Sequence, residues 1–251
     1  MRKTTLIKIF LRSFFIQTTL NFRRMQNLGF AMSIIPLIKA LRLQKEESVN
    51  MLTTHLQLFN TNPYFSAPVI GSIVRLEEEK TSPKDLMDST AIKKSLMASY
   101  AAIGDIFFWG ALRPFASIFA VMLIYMELII APVAFLLIYT PAHLWTRLKG
   151  FIEGYRLGKG GFEFIRSLDL PSIAVKIRWF SIILLAVLAI WLSGSIGYWP
   201  FAKALSIIIR LTALATVLFF VFLIKKGISQ IYIIYGAFLV SILISWKGYL
   251  N

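Results

Sequence analysis

The chain has 251 residues, 57% of them hydrophobic and 16% charged, with a mean hydropathy of +0.71. That composition excludes an ordinary soluble domain and reads as an all-α integral membrane protein. The net charge of +15 is dispersed through the N-terminal half and between apolar runs. Such dispersion suits a lipid bilayer with anionic headgroups and positive cytoplasmic loops, and no nucleic-acid partner is expected.

With no cysteine, disulfides and thiolate chemistry are excluded, and His55 and His143 lack metal-ligand spacing. No metal and no cofactor is expected. Residues 1–26 begin like a signal peptide, but Lys8 and Arg12 interrupt the apolar positions and no small-residue cleavage site follows. The segment is therefore expected in the mature protein. From Leu6 to Leu43 apolar residues recur at roughly helical spacing with basic residues between them. This predicts amphipathic helices at the cytoplasmic interface, with Gly29 and Pro36 separating short ones.

Residues 56–65, LQLFNTNPYF, are polar and broken within apolar or amphipathic surroundings. Pro63 forbids a continuous regular element there. Asn60, Thr61 and Asn62 can donate and accept hydrogen bonds, which suits a neutral polyhydroxyl ligand, and Phe59 and Tyr64 can stack on one. The alternative is a helix-ending turn whose amides bond local backbone. His55 has no phosphate cradle beside it and is expected to bond within this turn. Glu77, Glu78 and Glu79 read either as a solvated charge run or as a source of a ligand-facing carboxylate. The segment 77–85 reads as a loop, with Ser82-Pro83 as a turn or helix start.

Asp105 stands where the character changes, as a cap for the next helix or as a carboxylate near a pathway. Residues 106–141 suit two spans, as a hairpin or broken helices, with Arg113 and Glu127 facing a cavity or paired with each other across the hairpin. A basic loop follows over 146–177, with His143 at the interface before it, and further spans are expected at 179–196, 205–224 and 231–246. Tyr198, Trp199 and Trp246 fall at interfaces, and Arg210 snorkels or faces a partner. The architecture is thus amphipathic N-terminal helices followed by about five transmembrane or re-entrant helices. It divides into 1–104, an amphipathic cytoplasmic or interfacial region carrying the FNTNPYF motif, and 105–251, a membrane-embedded helical region. The positive-inside rule puts the N-terminus, 146–177 and Lys225-Lys226 in the cytoplasm, with 197–204 and the C-terminus outside. No nucleophile–base set, Walker loop or dinucleotide fingerprint is present, so the chain does not read as an enzyme by itself.

Four blocks carry a family resemblance: residues 12–38, residues 55–79, the Ile92-Lys93 to Gly104-Asp105 block, and GYRLG at 154–158. Their order resembles the IID subunits of the mannose/fructose/sorbose phosphotransferase systems, over about residues 12–160. The resemblance implies an all-helical fold with broken and re-entrant helices, in a bacterial inner (plasma) membrane. It implies a IIC membrane partner, arranged as a trimer of IIC–IID pairs, that shares a hexose path with this chain. Cytoplasmic IIA and IIB would carry the phosphoryl group, leaving this subunit non-catalytic. It makes Asn60, Thr61 and Asn62 candidates near the sugar, with Glu77, Glu78 and Asp105 behind them. Where the family reads like LMGPLAGIGD, this chain has LMASYAAIGD (96–105), which favours continuous helix over a break. That departure motivates the alternative of a diverged, non-transporting paralogue acting as an assembly, regulatory or structural partner.

Overall fold

The computed structural model describes the backbone of residues 1–80, 84–195 and 202–249, and within these the side chains of all but 84–88, 193–195, 202–207, 209, 210, 213 and 243–249. The helices are α1 Lys3–Ser13, α2 Asn27–Leu41, α3 Lys45–His55, α4 Ser66–Glu78, α5 Lys84–Gly104, α6 Arg113–Tyr125, α7 Ala131–Leu157, α8 Gly161–Ser167, α9 Leu170–Ser195, α10 Ala202–Lys225 and α11 Gln230–Tyr249. A π-helical segment, Asp105–Leu112, joins α5 to α6, and no strand occurs among the described residues. Contacts divide the chain into two compact units, 1–181 and 182–251. Two helical stretches, 89–125 and 131–192, are long and apolar enough to cross a membrane. Shorter apolar helices occupy 27–41, 214–225 and 230–242. Their large apolar side chains remain exposed, Ile124 at 62% and Leu137 at 66%, which lipid accommodates and water does not.

The first unit is built around α4, in which every residue from Ser66 to Val74 is buried. Its closest neighbour is α7. A Cβ on Gly71 would lie 2.4 Å from the Phe151 carbonyl oxygen, and one on Gly154 would lie 2.5 Å from the Pro68 carbonyl oxygen. A Cβ on Gly150 would meet the Pro68 ring at 2.5 Å. Small residues four apart thus let two backbones touch, the device that membrane helices use when hydrophobicity cannot drive their association. The first glycine of GYRLG is part of this seam.

Gly29 and Pro36 do not separate helices, because α2 runs through both. A Cβ on Gly29 would lie 2.5 Å from the Ile16 carbonyl oxygen, so the residue serves a close approach. Pro36 lacks the N–H that would bond the carbonyl of Met32, four residues earlier. Arg12 Nη1 on α1 donates to that carbonyl at 3.1 Å, which satisfies the acceptor the proline leaves unbonded. A second arginine works similarly: Arg147 Nη1 donates to the carbonyl of Ser13, the last residue of α1, where a cation also complements the helix dipole.

The 106–141 hairpin forms, turning at 126–130 with Glu127 at φ 60°. Arg113 and Glu127 do not pair. Arg113 opens α6 and Glu127 lies in the turn beyond its other end, 14 residues away in number, or about 20 Å along a helix. Residues 146–177 are not a loop. α7 continues to Leu157, followed by a 3₁₀ turn, α8 and the start of α9, because an amphipathic pattern persists beyond the apolar run. The expected spans at 179–196, 205–224 and 231–246 fall on α9, α10 and α11. Tyr198 and Trp199 lie outside the described residues, as do the side chains of Arg210 and Trp246.

Candidate functional site

The FNTNPYF segment is the meeting point of the blocks singled out in the sequence. From the first block, Gln26 clasps Thr61 reciprocally. The Thr61 N–H donates to Gln26 Oε1 at 3.0 Å and Gln26 Nε2 donates to the Thr61 carbonyl at 2.9 Å. The Gln26 N–H also donates to the Phe59 carbonyl at 2.8 Å, and Asn27 Nδ2 to the Leu56 carbonyl at 2.8 Å. A side-chain amide thereby supplies the donors and acceptors that Pro63 and the broken backbone deny the segment. Phe59 is fully buried beside Phe30, with ring centroids 4.6 Å apart, and pins the near end.

The third block meets the same segment from the other side. Asn62 is 1% exposed; its Nδ2 donates to Asp105 Oδ1 at 2.9 Å and its Oδ1 accepts the Tyr64 N–H at 3.1 Å. That turn bond fixes which end of the amide faces the carboxylate. Gly104 makes the approach possible, since a Cβ there would lie 2.4 Å from Asn62 Cβ and 2.8 Å from Phe65 Cδ2. Asp105 is no helix cap: it sits where α5 passes directly into the π-helical segment and makes no cap bond. π-Helical turns within α-helices are frequent at functional sites.

Asp105 itself is exposed, and its Oδ2 has no partner among the described residues. Asn60 is also exposed, its N–H directed at Met97 Sδ at 3.0 Å. Thr61 is buried, and its Oγ1 has no hydrogen-bond partner among the described residues. The edge therefore offers a free carboxylate oxygen and the Asn60 amide, a donor–acceptor mixture that can exchange with the hydration of hydroxyl groups.

The acidic run answers to other partners. Glu77 is 2% exposed and accepts hydrogen bonds from Ser89 Oγ at 2.7 Å and Lys80 Nζ at 2.5 Å, with His55 Nε2 at 3.2 Å. Burial alone would raise its carboxyl, but these bonds hold it down to about 2. Burial pushes the His55 imidazole below its ordinary value, against the opposing pull of Glu77. Neutral His55 therefore donates from Nε2 to the Glu77 carboxylate, and does not bond within the Asn-rich turn. Lys93 Nζ on α5 donates to the His55 carbonyl at 3.1 Å and lies 4.2 Å from the Phe30 ring centre. Glu78 accepts from the Tyr155 hydroxyl at 2.6 Å, and Glu79 pairs with Arg75. One face of α5 thus reads the whole region in sequence: Ser89, Lys93, Met97 and Gly104.

The sequence reading missed a second grip on the segment. Tyr139, His143 and Arg147 recur every four residues on one face of α7, and all three reach Tyr64. The Tyr139 hydroxyl donates to the Tyr64 hydroxyl at 3.0 Å, His143 stacks on the ring at 4.7 Å, and the Arg147 guanidinium lies 5.5 Å from its centre. His143 is inside α7 and packed, not at the end of a span. The spacing of three polar or ring-bearing residues through an apolar run is the signal that could have revealed this stripe. Among the described residues no three His, Asp or Glu side chains converge as metal ligands.

Over residues 1–250 the chain matches the model of the PTS system mannose/fructose/sorbose family IID component, PTS denoting phosphotransferase system. The mannose-specific EIID component of Escherichia coli K12 is 34% identical over 153 residues, 60% of this chain; the match spans just over half, 54%, of that protein. The fructose permease IID component of Bacillus subtilis strain 168 is 29% identical over 270 aligned positions, covering 99% of this chain and 97% of that one. Among solved structures, the mannose transporter ManYZ, determined with microcin E492, includes a chain with a TM-score of 0.58 at 24% identity. That likeness covers 99% of this chain and 97% of the other, and it concerns the fold. The helices, the exposed apolar surfaces and the convergence of the blocks on FNTNPYF agree with the family match, and the chain belongs to the mannose/fructose/sorbose family of phosphotransferase-system IID components.

Proposed function

We propose that this chain is the IID half of a phosphoenolpyruvate-dependent sugar permease. In this reading it crosses a bacterial inner membrane several times and forms, with a IIC subunit, the path for a mannose-, fructose- or sorbose-type hexose. The Asn62–Asp105 pair carries the reading. Asp105 is exposed at the head of an apolar helical run and bonded to a buried asparagine, and a carboxylate so placed is favoured where it faces a polar cavity or a partner. A path shared with IIC supplies both. Asn60, Thr61 and Asn62 then replace water around the sugar, while Glu77 and Glu78 support the surrounding helices. Membrane entry falls near Asp105, with 1–104 at the cytoplasmic interface and 105–251 embedded in five spans. Phosphoryl transfer belongs to IIB, which is charged by IIA and acts on the sugar as it arrives, and a trimer of IIC–IID pairs is the assembly.

The test is uptake of radiolabelled mannose, fructose and sorbose by cells expressing this chain with its genomic IIC and IIB partners. Asn62→Ala should weaken uptake several-fold while leaving membrane insertion and co-purification with IIC intact; unchanged uptake sinks the site assignment. One observation favours a second reading, a non-transporting assembly or regulatory partner: α5 runs unbroken through residues 96–102. Robust phosphorylating uptake by the unmodified chain would eliminate it.

A further inference from the structure

We propose that Tyr64 is a positioning residue for the Asn62–Asp105 pair and that α7 sets substrate affinity through it. The inference rests on the reading that this pair borders the sugar path. The Tyr64 N–H donates to Asn62 Oδ1 at 3.1 Å, and that bond turns Asn62 Nδ2 towards Asp105 Oδ1 at 2.9 Å. Whatever fixes Tyr64 therefore fixes the orientation of the amide.

Four side chains from two elements hold the Tyr64 ring. His143 stacks on it at 4.7 Å with an interplanar angle of 23°, and Tyr139 stands edge-on at 5.9 Å. Arg147 approaches its centre at 5.5 Å, and Phe108 of the π-helical segment packs edge-on at 4.8 Å. The hydroxyls of Tyr64 and Tyr139 are bonded to each other at 3.0 Å. Apolar packing alone would be met by phenylalanine, as it is at the fully buried Phe65 next door. A hydroxyl–hydroxyl bond adds direction, and direction matters because the next link is a single backbone N–H. The Arg147 guanidinium is itself fixed by the Ser13 carbonyl and lies 4.8 Å from the Phe14 ring, so the clamp is anchored to the end of α1. A shift of α7 along its axis would move three of the four contacts together and reorient Asn62 without α7 touching the sugar.

The experiment compares Tyr139→Phe, Tyr64→Phe and the double variant in the full membrane complex. Initial rates of sugar uptake are measured over a concentration series, with the yield of complex determined in parallel. Each single variant should raise the half-saturating concentration about five-fold, the equivalent of one neutral hydrogen bond, with maximal rate and yield within about two-fold of the unmodified complex. The double variant should match either single one, because both remove the same bond. Unchanged half-saturation in the single variants overturns the proposal. So does a fall in yield and maximal rate alone, which is the mark of a purely structural role. Asn62→Ala separates the two readings. If it weakens uptake while Tyr139→Phe does not, positioning fails and the site stands; if Asn62→Ala leaves uptake intact, the site reading itself fails.

Discussion

Gly104→Ala is the most informative single perturbation, because the helix preference of alanine opposes the local geometry. In a helix, alanine is favoured over glycine by about 1 kcal/mol. Here, however, the added methyl would lie 2.4 Å from Asn62 Cβ, 2.5 Å from Asn62 Cγ and 2.8 Å from Phe65 Cδ2. Ordinary carbon–carbon contact begins at about 3.5 Å, so the helix and the turn must separate by roughly 1 Å. The Asn62–Asp105 bond, now 2.9 Å, then lies beyond hydrogen-bonding range. Overpacking costs about 1–3 kcal/mol, and losing a bond to a charged group costs about 1.5–3 kcal/mol. Together the two terms exceed the gain in helix propensity, so the variant should be destabilised by about 1.5–5 kcal/mol and should lose uptake more than it loses assembly. Thermal unfolding of the detergent-purified complex and uptake in cells measure the two effects separately. Asn62→Gly added to Gly104→Ala removes the two closest contacts, leaving that with Phe65, and should recover part of the stability but not transport. An unmodified melting temperature and full uptake in Gly104→Ala would refute the argument, since the methyl would then have found space that the packing does not provide.

Two further outcomes concern the supporting structure. Glu77 is held at about 2 against an ordinary value of 4.5, so its contribution is complete above pH 4.5 and disappears as pH falls towards 2. The difference corresponds to about 3 kcal/mol. His55 shifts downward and acts with the same sign: the unfolded imidazole takes up a proton below about pH 6.5 while the buried one resists. Stability should therefore fall as pH is lowered from 7 to 3, and Glu77→Gln should flatten the acid half of that curve in melting experiments; an unchanged slope would remove Glu77 as its source. Arg12→Ala should cost about 1.5–3 kcal/mol by stripping the Met32 carbonyl of its charged donor. Pro36→Ala should be less damaging in that background than alone, because it restores an N–H for the same carbonyl, and equal costs in the two backgrounds would show the arginine and proline to be independent.

Composition and hydropathy alone determined the class of this protein, because a chain this apolar and this weakly charged cannot bury its surface against water. They also located the hairpin and the later helices, since the length of an apolar run and its breaks are local properties. FNTNPYF was visible as an anomaly for the same reason: proline and polar side chains contradict their surroundings wherever the chain goes. Its partners were not visible. Gln26 and Asp105 lie far away in sequence and on opposite sides of the segment, and a pairing of that separation is decided by packing. Pro36 shows the limit from the other direction, because a local rule ends the helix there while a distant arginine allows it to continue. The acidic run looked like one feature because its members are adjacent, yet helical geometry turns Glu77 towards His55, Glu78 towards Tyr155 and Glu79 towards Arg75. Tyr139, His143 and Arg147 appear unrelated in the sequence and become a clamp only when α7 lies against the segment. Periodicity can mark a face of a helix, but only the tertiary structure decides what that face meets.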